Sequence, residues 1–390
     1  MIRGISKHSC LLRCFQQASQ RTDFLWARIV GLAGLLGTLA CISPAPTWAA
    51  TDNGGLGLLP IGDQFPPKLQ FLIFTPEPVL ALPDGTLSVT YQFSDANTAL
   101  NTQQTAPPRI TQATINGGLT TANFPATGYA AFIQMETQRN LFKFRYGLGE
   151  GWELGLDQAW ISFGAGGIGS SLDRSVESAF GAKNPERWSF SANRFEYFVT
   201  HNGRFLVDTH SPVDNVPQDP VVSLKWNLSE GGELLPALSL RVAYKAPLDS
   251  AKSLPRSLVS SGHDDWGYSV LISKAVGRWV AHFQLGESFF GGEGHDYVQS
   301  LNHQFFGLEY RANSRNSVVF QTSSELTVFN VGLESGRSSD FAITRPGEMV
   351  SAGYRYAGET YHFDLGFSED YITDDNTTDT VLFFDLGWKW

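Results

Sequence analysis

The sequence predicts an all-β chain: a transmembrane antiparallel β-barrel of about 12 strands (range 10–14), with short turns at one end and long loops at the other. Three observations predict it. The last ten residues, Val381 to Trp390 (VLFFDLGWKW), place Leu382, Phe384, Leu386, Trp388 and Trp390 on one face. Phe383, Asp385, Gly387 and Lys389 fall on the other, the period-2 signature of a strand. From Thr86 onward, similar alternating runs are joined by connections that switch between a few residues and many. Finally, the chain is rich in aromatics (13%) and carries 39 glycines, yet holds no long apolar run. Aromatic girdles and glycine-bearing strands give that mixture; a bundle of membrane helices does not.

The N-terminus reads as a cleaved leader, residues 1–49. Arg3, Lys7, Arg13, Arg21 and Arg28 precede an apolar stretch from Ile29 to Ala40, and small residues follow at Thr47, Ala49 and Ala50. A basic region, a short apolar core and a small-residue cleavage site make a secretory signal peptide. The apolar core, roughly 12 residues, is too short to span a bilayer as a helix. All three cysteines (Cys10, Cys14, Cys41) lie before the cut, so the exported chain has no disulfide and no thiolate. Removing the leader's net +4 from a total of −10 leaves −14. That balance excludes nucleic acid as a partner.

Residues 50–85 hold six prolines and no clean alternation. Proline removes ladder donors, so this is an irregular segment, lying either in the periplasm or in the lumen as a plug. The barrel proper is residues 86–390. Its strands are read at 86–94, 137–147, 152–163, 221–228, 236–245, 265–274, 279–286, 302–311, 317–329, 348–356, 360–368 and the final ten residues, with 95–127 as a polar loop and 164–220 as a long excursion. Within that excursion Asn202-Gly203 marks a type I′ hairpin, favoured as a rim hairpin over two further barrel strands. Leu172, Val176 and Phe180 recur at helical spacing in the same excursion, as a lid over the mouth or a helix on the rim.

Function is sought on the inward faces. The phase set by the aromatics turns Lys143, Arg145, Glu153, Asp157, Lys225, Arg241, His282, Glu309, Arg311, Arg355, His362, Asp364, Asp385 and Lys389 into the lumen. Arg145 is expected opposite Glu153, with Lys143 near Asp157 on the diagonal. Asp364 is expected beside Asp385, neutralised by Arg355 and Lys389. Two Gly-His-Asp triplets, at His263-Asp264 and His295-Asp296, are weak candidates for a divalent metal at the rim. No catalytic residue stands out: there is no nucleophile elbow, phosphate loop or dinucleotide fingerprint, and no cofactor is expected.

From Leu141 onward the order of features resembles a family of proteobacterial outer-membrane β-barrel proteins catalogued only as a domain of unknown function. The residues that carry it run from Tyr146 to Leu156 (YGLGEGWELGL), with Leu172-Asp173, Phe180-Gly181, Lys245-Ala246-Pro247 and Ser260 to Trp266 (SSGHDDW). Leu59-Pro60 and Asp63 to Pro66 are a looser match. The resemblance implies a barrel and an outer-membrane address, and supplies no activity. The terminal strand also looks like the C-terminal signature of outer-membrane barrels, with Phe384, Leu386, Trp388 and Trp390 as the residues the assembly machinery reads. The expected partners are outer-membrane lipid, that machinery and a small solute. A passive channel or binding protein for small solutes is the leading expectation. A structural barrel with a closed lumen comes second, and an outer-membrane enzyme third.

Overall fold

The computed structural model describes residues 54–102, 110–171, 174, 178, 194–248, 255–292, 296–330, 346–370 and 377–390. Residues 1–49, read as a leader, lie outside these, as do Leu172, Val176 and Phe180 of the expected lid helix. Twelve antiparallel strands close on themselves, as the alternation predicts. They are β1 (Leu87–Asn101), β2 (Tyr129–Gly149), β3 (Trp152–Gly164), β7 (Val221–Glu230), β8 (Ala237–Lys245), β9 (Asp265–Val276), β10 (Trp279–Phe290), β11 (Ser300–Arg311), β12 (Asn316–Glu325), β13 (Gly347–Ala357), β14 (Tyr361–Asp370) and β15 (Thr380–Lys389). Each pairs with its neighbour in sequence order, and β1 pairs with β15 to close the ring. At the seam, Leu87 and Trp390 exchange two main-chain hydrogen bonds of 3.0 and 2.9 Å.

Outside, the wall is apolar. Trp266, Phe306, Phe320, Leu365 and Phe367 are about half exposed, which in water would be an aggregation face and in hydrocarbon is the stable one. Aromatics gather at both ends of this belt. At the short-turn end Trp152 stacks on Trp226 and Trp279 packs on Tyr310; at the loop end Trp266 stacks on Phe289. Trp279 and Phe289 lie ten residues apart on β10. At ~3.3 Å per residue and a tilt of ~40° that is a belt ~25 Å tall, the height of a bilayer core. Leu382, Phe384 and Leu386 line the same outer face, with Trp388 and Trp390 in the girdle.

Two departures from the sequence reading sit above the belt. β1 runs on to Asn101 and β2 begins at Tyr129, so part of the expected polar loop is strand. Residues 129–137 are buried on both faces, so they show no alternation to betray a strand. The hairpin of β4 (Glu196–His201) and β5 (Arg204–Thr209) adds to this extension through β4, and β6 (Val213–Pro217) adds to β3. The hairpin therefore stands on the rim, and the barrel count stays at twelve. Asn202 and Gly203 both have positive φ, 51° and 73°, as a type I′ turn requires.

Candidate functional site

The lumen is occupied. Residues 54–82 climb the interior, turn at a 3-10 helix (Pro66–Gln70) and descend to the foot of β1, with Leu80 lying against Gly54. Phe65, Leu69 and Phe71 at the apex join Leu100, Tyr129, Ile133, Phe163 and Tyr197 in a hydrophobic cluster under the rim. Below the apex the contacts are polar. Proline and extended backbone leave the segment's N–H and C=O groups without a ladder, and inward side chains satisfy them one by one.

Glu309 Oε2 accepts the N–H of Leu56 at 2.8 Å, and Gln321 Oε1 that of Leu59 at 2.8 Å. Arg355 donates to the carbonyls of Leu56, Gly57 and Leu58, at 2.5, 2.9 and 3.0 Å. On the other limb, Lys245 donates to the carbonyl of Gln70 at 2.6 Å and Ser239 to that of Val79 at 2.5 Å. Glu153 accepts the N–H of Leu82 at 2.8 Å.

Charges are paired along the same wall. Arg355 grips Asp364 through two hydrogen bonds of 2.7 Å, and His362 lies 3.2 Å from Asp385. Asp364 and Asp385 are direct register partners. Lys225 reaches Glu153 at 2.9 Å. Arg145 lies opposite Gly155 rather than Glu153, because the β2–β3 turn is centred on Glu150, with positive φ at Gly149, Glu150 and Gly151. Its guanidinium instead takes Asp157, at 2.5 and 3.1 Å, and reaches Glu153 only at 3.9 Å. Lys143 faces Asp157 directly in register, not diagonally, and forms no ion pair with it. Arg311, on the inward phase, sits at the periplasmic mouth and donates to the carbonyl of Gly277 at 3.0 Å. Lys389 lines the lumen at the same end.

Sequence reasoning missed Glu77, because nothing local ties a glutamate between two prolines to a barrel wall. It is a shared counter-ion, 2.5 Å from Arg145, 3.3 Å from Arg241 and 3.8 Å from Lys225. Likewise missed is Lys68 at the apex, fully buried and paired with Asp63 at 2.6 Å and Glu325 at 3.4 Å.

Two spaces beside the segment are lined by described residues. A cavity of about 250 Å³ at the periplasmic end is bounded by the proline-rich limb on one side and by Thr90, Lys143, Arg145, Asp385 and Lys389 on the other. A second, of about 50 Å³, lies above it against Arg139, Leu141, Asp157 and Ala159. Arg145 on β2 and Glu77 on the segment line the first, Asp157 on β3 lines the second, and Arg145 pairs with both acids.

The metal candidates do not converge. His263 and Asp264 are exposed in the loop before β9, and His295 lies outside the described residues. Asp296 is already committed: it pairs with His201 at 2.6 Å and with Arg204, tying the rim hairpin down. Among the described residues no group of three or more potential ligands is gathered. Two serine–histidine–glutamate relays do occur. Ser273 lies 2.7 Å from His282, itself 2.9 Å from Glu309; one strand along, Ser288 lies 3.0 Å from His303 and Glu325 3.6 Å from that ring. Both serines are buried, and Glu309 already holds the segment's main chain, so neither relay offers a nucleophile to a substrate.

The fold is that of a bacterial outer-membrane barrel. An outer-membrane channel from Pseudomonas putida F1 superposes on 82% of this chain and all of its own, with a TM-score of 0.50 at 8% identity. The NanC porin (TM-score 0.40, 8% identity, covering 78% of this chain and 100% of its own) and a Pseudomonas aeruginosa FadL homologue (0.34, 10%, 88% and 98%) are more distant. No family profile matches the chain, and no curated protein matches it.

Proposed function

We propose that this protein is a passive channel of the bacterial outer membrane for small solutes, held closed in this structure by residues 54–82. One observation carries the reading: two cavities border the luminal segment, one lined by Arg145 and Glu77 and the other by Asp157, and ion pairs of Arg145 with both acids link their linings. A lumen built as a solid core would be filled there by side chains of the wall itself. Here the wall presents charge, and a separate segment supplies the filling. Under this proposal residues 1–49 direct export and are cleaved, the terminal strand engages the assembly machinery, and the chain belongs to the uncharacterised family that its Tyr146–Leu156 stretch resembles.

A structural barrel with a permanently closed lumen is the second reading, favoured by the density of ion pairs around the segment. Single-channel conductance in planar bilayers separates them. The channel reading expects discrete openings from the full chain under applied voltage, and a larger, steady conductance once residues 54–82 are deleted. Silence from both chains would sink it.

A further inference from the structure

We propose that the periplasmic-end cavity is a binding site for a small organic monoanion, a carboxylate on an apolar body, with Lys143 as its anchor. The inference deepens the channel reading and rests on it, since it names the solute class.

Lys143 is the starting point. It is 7% exposed, its side chain lines the cavity, and it has neither an ion pair nor a hydrogen bond among the described residues. An ammonium buried without a partner is costly, so the position is one that a bound anion would relieve. Its register partners do not supply that anion. Thr90, beside it on β1, is neutral, and Asp157, beside it on β3, is spent on Arg145.

The carboxylates around the cavity are spent too. Glu77 faces Arg145, Glu153 faces Lys225 and Asp364 is held by Arg355, while Asp385 shares a hydrogen bond with His362. An incoming anion therefore meets three acids paired to cations, Asp385 hydrogen-bonded to His362, and one lysine with no ion pair among the described residues.

The opposite wall is apolar. Pro76, Pro78, Leu80, Ala81, Leu82 and Pro83 form it, and they offer no charge and few donors. A site with one cation facing an aliphatic wall selects an amphiphile and disfavours an inorganic ion, which would leave that wall against water. Size follows from the volume. A cavity of ~150 Å³ accepts benzene, so about 250 Å³ suits a body of ~10 non-hydrogen atoms.

Titration calorimetry of hexanoate into the full chain in phosphatidylcholine nanodiscs, with empty nanodiscs as the blank, tests the site. The wild type is expected to bind hexanoate at least ~10-fold more tightly than 1-hexanol, the size of one charge-assisted hydrogen bond. Lys143→Met should remove that preference and leave 1-hexanol unchanged, while Lys143→Arg keeps it. Thr90→Glu, which sets a carboxylate beside Lys143, should abolish hexanoate binding with the lysine intact, and it decides the matter should Lys143→Met not fold. Equal hexanoate affinity in wild type and Lys143→Met, or no saturable binding to the wild type, overturns the site. Failure of the channel reading looks different: Lys143-dependent binding with no conductance removes the channel and keeps the site, whereas conductance with Lys143-independent affinity does the reverse.

Discussion

Leu56 and Glu309 are 253 residues apart in sequence and 2.8 Å apart in space, the main-chain N–H of the first donating to the carboxylate of the second. The same oxygen accepts the N–H of Gly57 and faces His282, so one buried acid fixes an end of the luminal segment. Glu309→Ala orphans these buried donors, each costing about 1–3 kcal/mol. The expected result is a fall in stability of that order in urea titrations of the vesicle-embedded barrel. Faster proteolysis near residues 54–60 should accompany it. An unchanged unfolding midpoint and cleavage pattern would mean that the segment is held elsewhere.

Gly147 marks where the segment joins the wall. Its N–H donates to the carbonyl of Thr86 and its own carbonyl accepts the N–H of Gly85. A Cβ there would overlap the carbonyls of Leu82 and Pro83, which are backbone and cannot swing away. Gly147→Ala is expected to cost about 1–3 kcal/mol by overpacking. The gel shift between heated and unheated samples would report this as a smaller folded fraction, and Gly232→Ala, with open space around it, serves as the control.

Leu365 tests the lipid face. It is 53% exposed, four residues up β14 from Tyr361 in the girdle, which puts it near mid-belt. Leu365→Arg should cost about 2–4 kcal/mol in a bilayer. A neutral outcome in vesicle unfolding would argue that this face meets water or protein.

The rim hairpin should be sensitive to acid. Partial burial alone would raise the Asp296 carboxyl, but hydrogen bonds from His201 and Arg204 outweigh it and hold the group below the usual aspartate range. Its contribution to docking is therefore complete above the ordinary aspartate value of about 3.9 and is lost as pH falls through the depressed one. Hydrogen–deuterium exchange, corrected for intrinsic rate, should show β4–β5 loosening below about pH 4. Asp296→Asn should show the loosened pattern already at neutral pH, and a hairpin equally protected at both would remove this role.

Legibility followed distance along the chain. The belt strands were readable because lipid imposes a period-2 pattern that each strand carries alone; β15 shows it in ten residues. The top of β2 was not, since covering both faces at Tyr129–Thr137 erases the pattern. The inward charges can be named from phase, but not which acid Arg145 meets, because a centre shift in one glycine turn moves every partner above it. Glu77 had no signal at all: its partners stand on β2, β7 and β8, between 68 and 164 residues away.

By itself, then, the sequence determined the barrel, its twelve strands, its lipid face and the residues turned inward. Each of these follows from alternation and connection length, which a short window contains. Only the tertiary structure decided that residues 54–82 fill the interior, which acid pairs with which cation, and that Lys143 has no ion pair among the described residues. Those are matters of which groups meet across the lumen, and the energy of a buried charge is set by neighbours that the chain brings together only on closing.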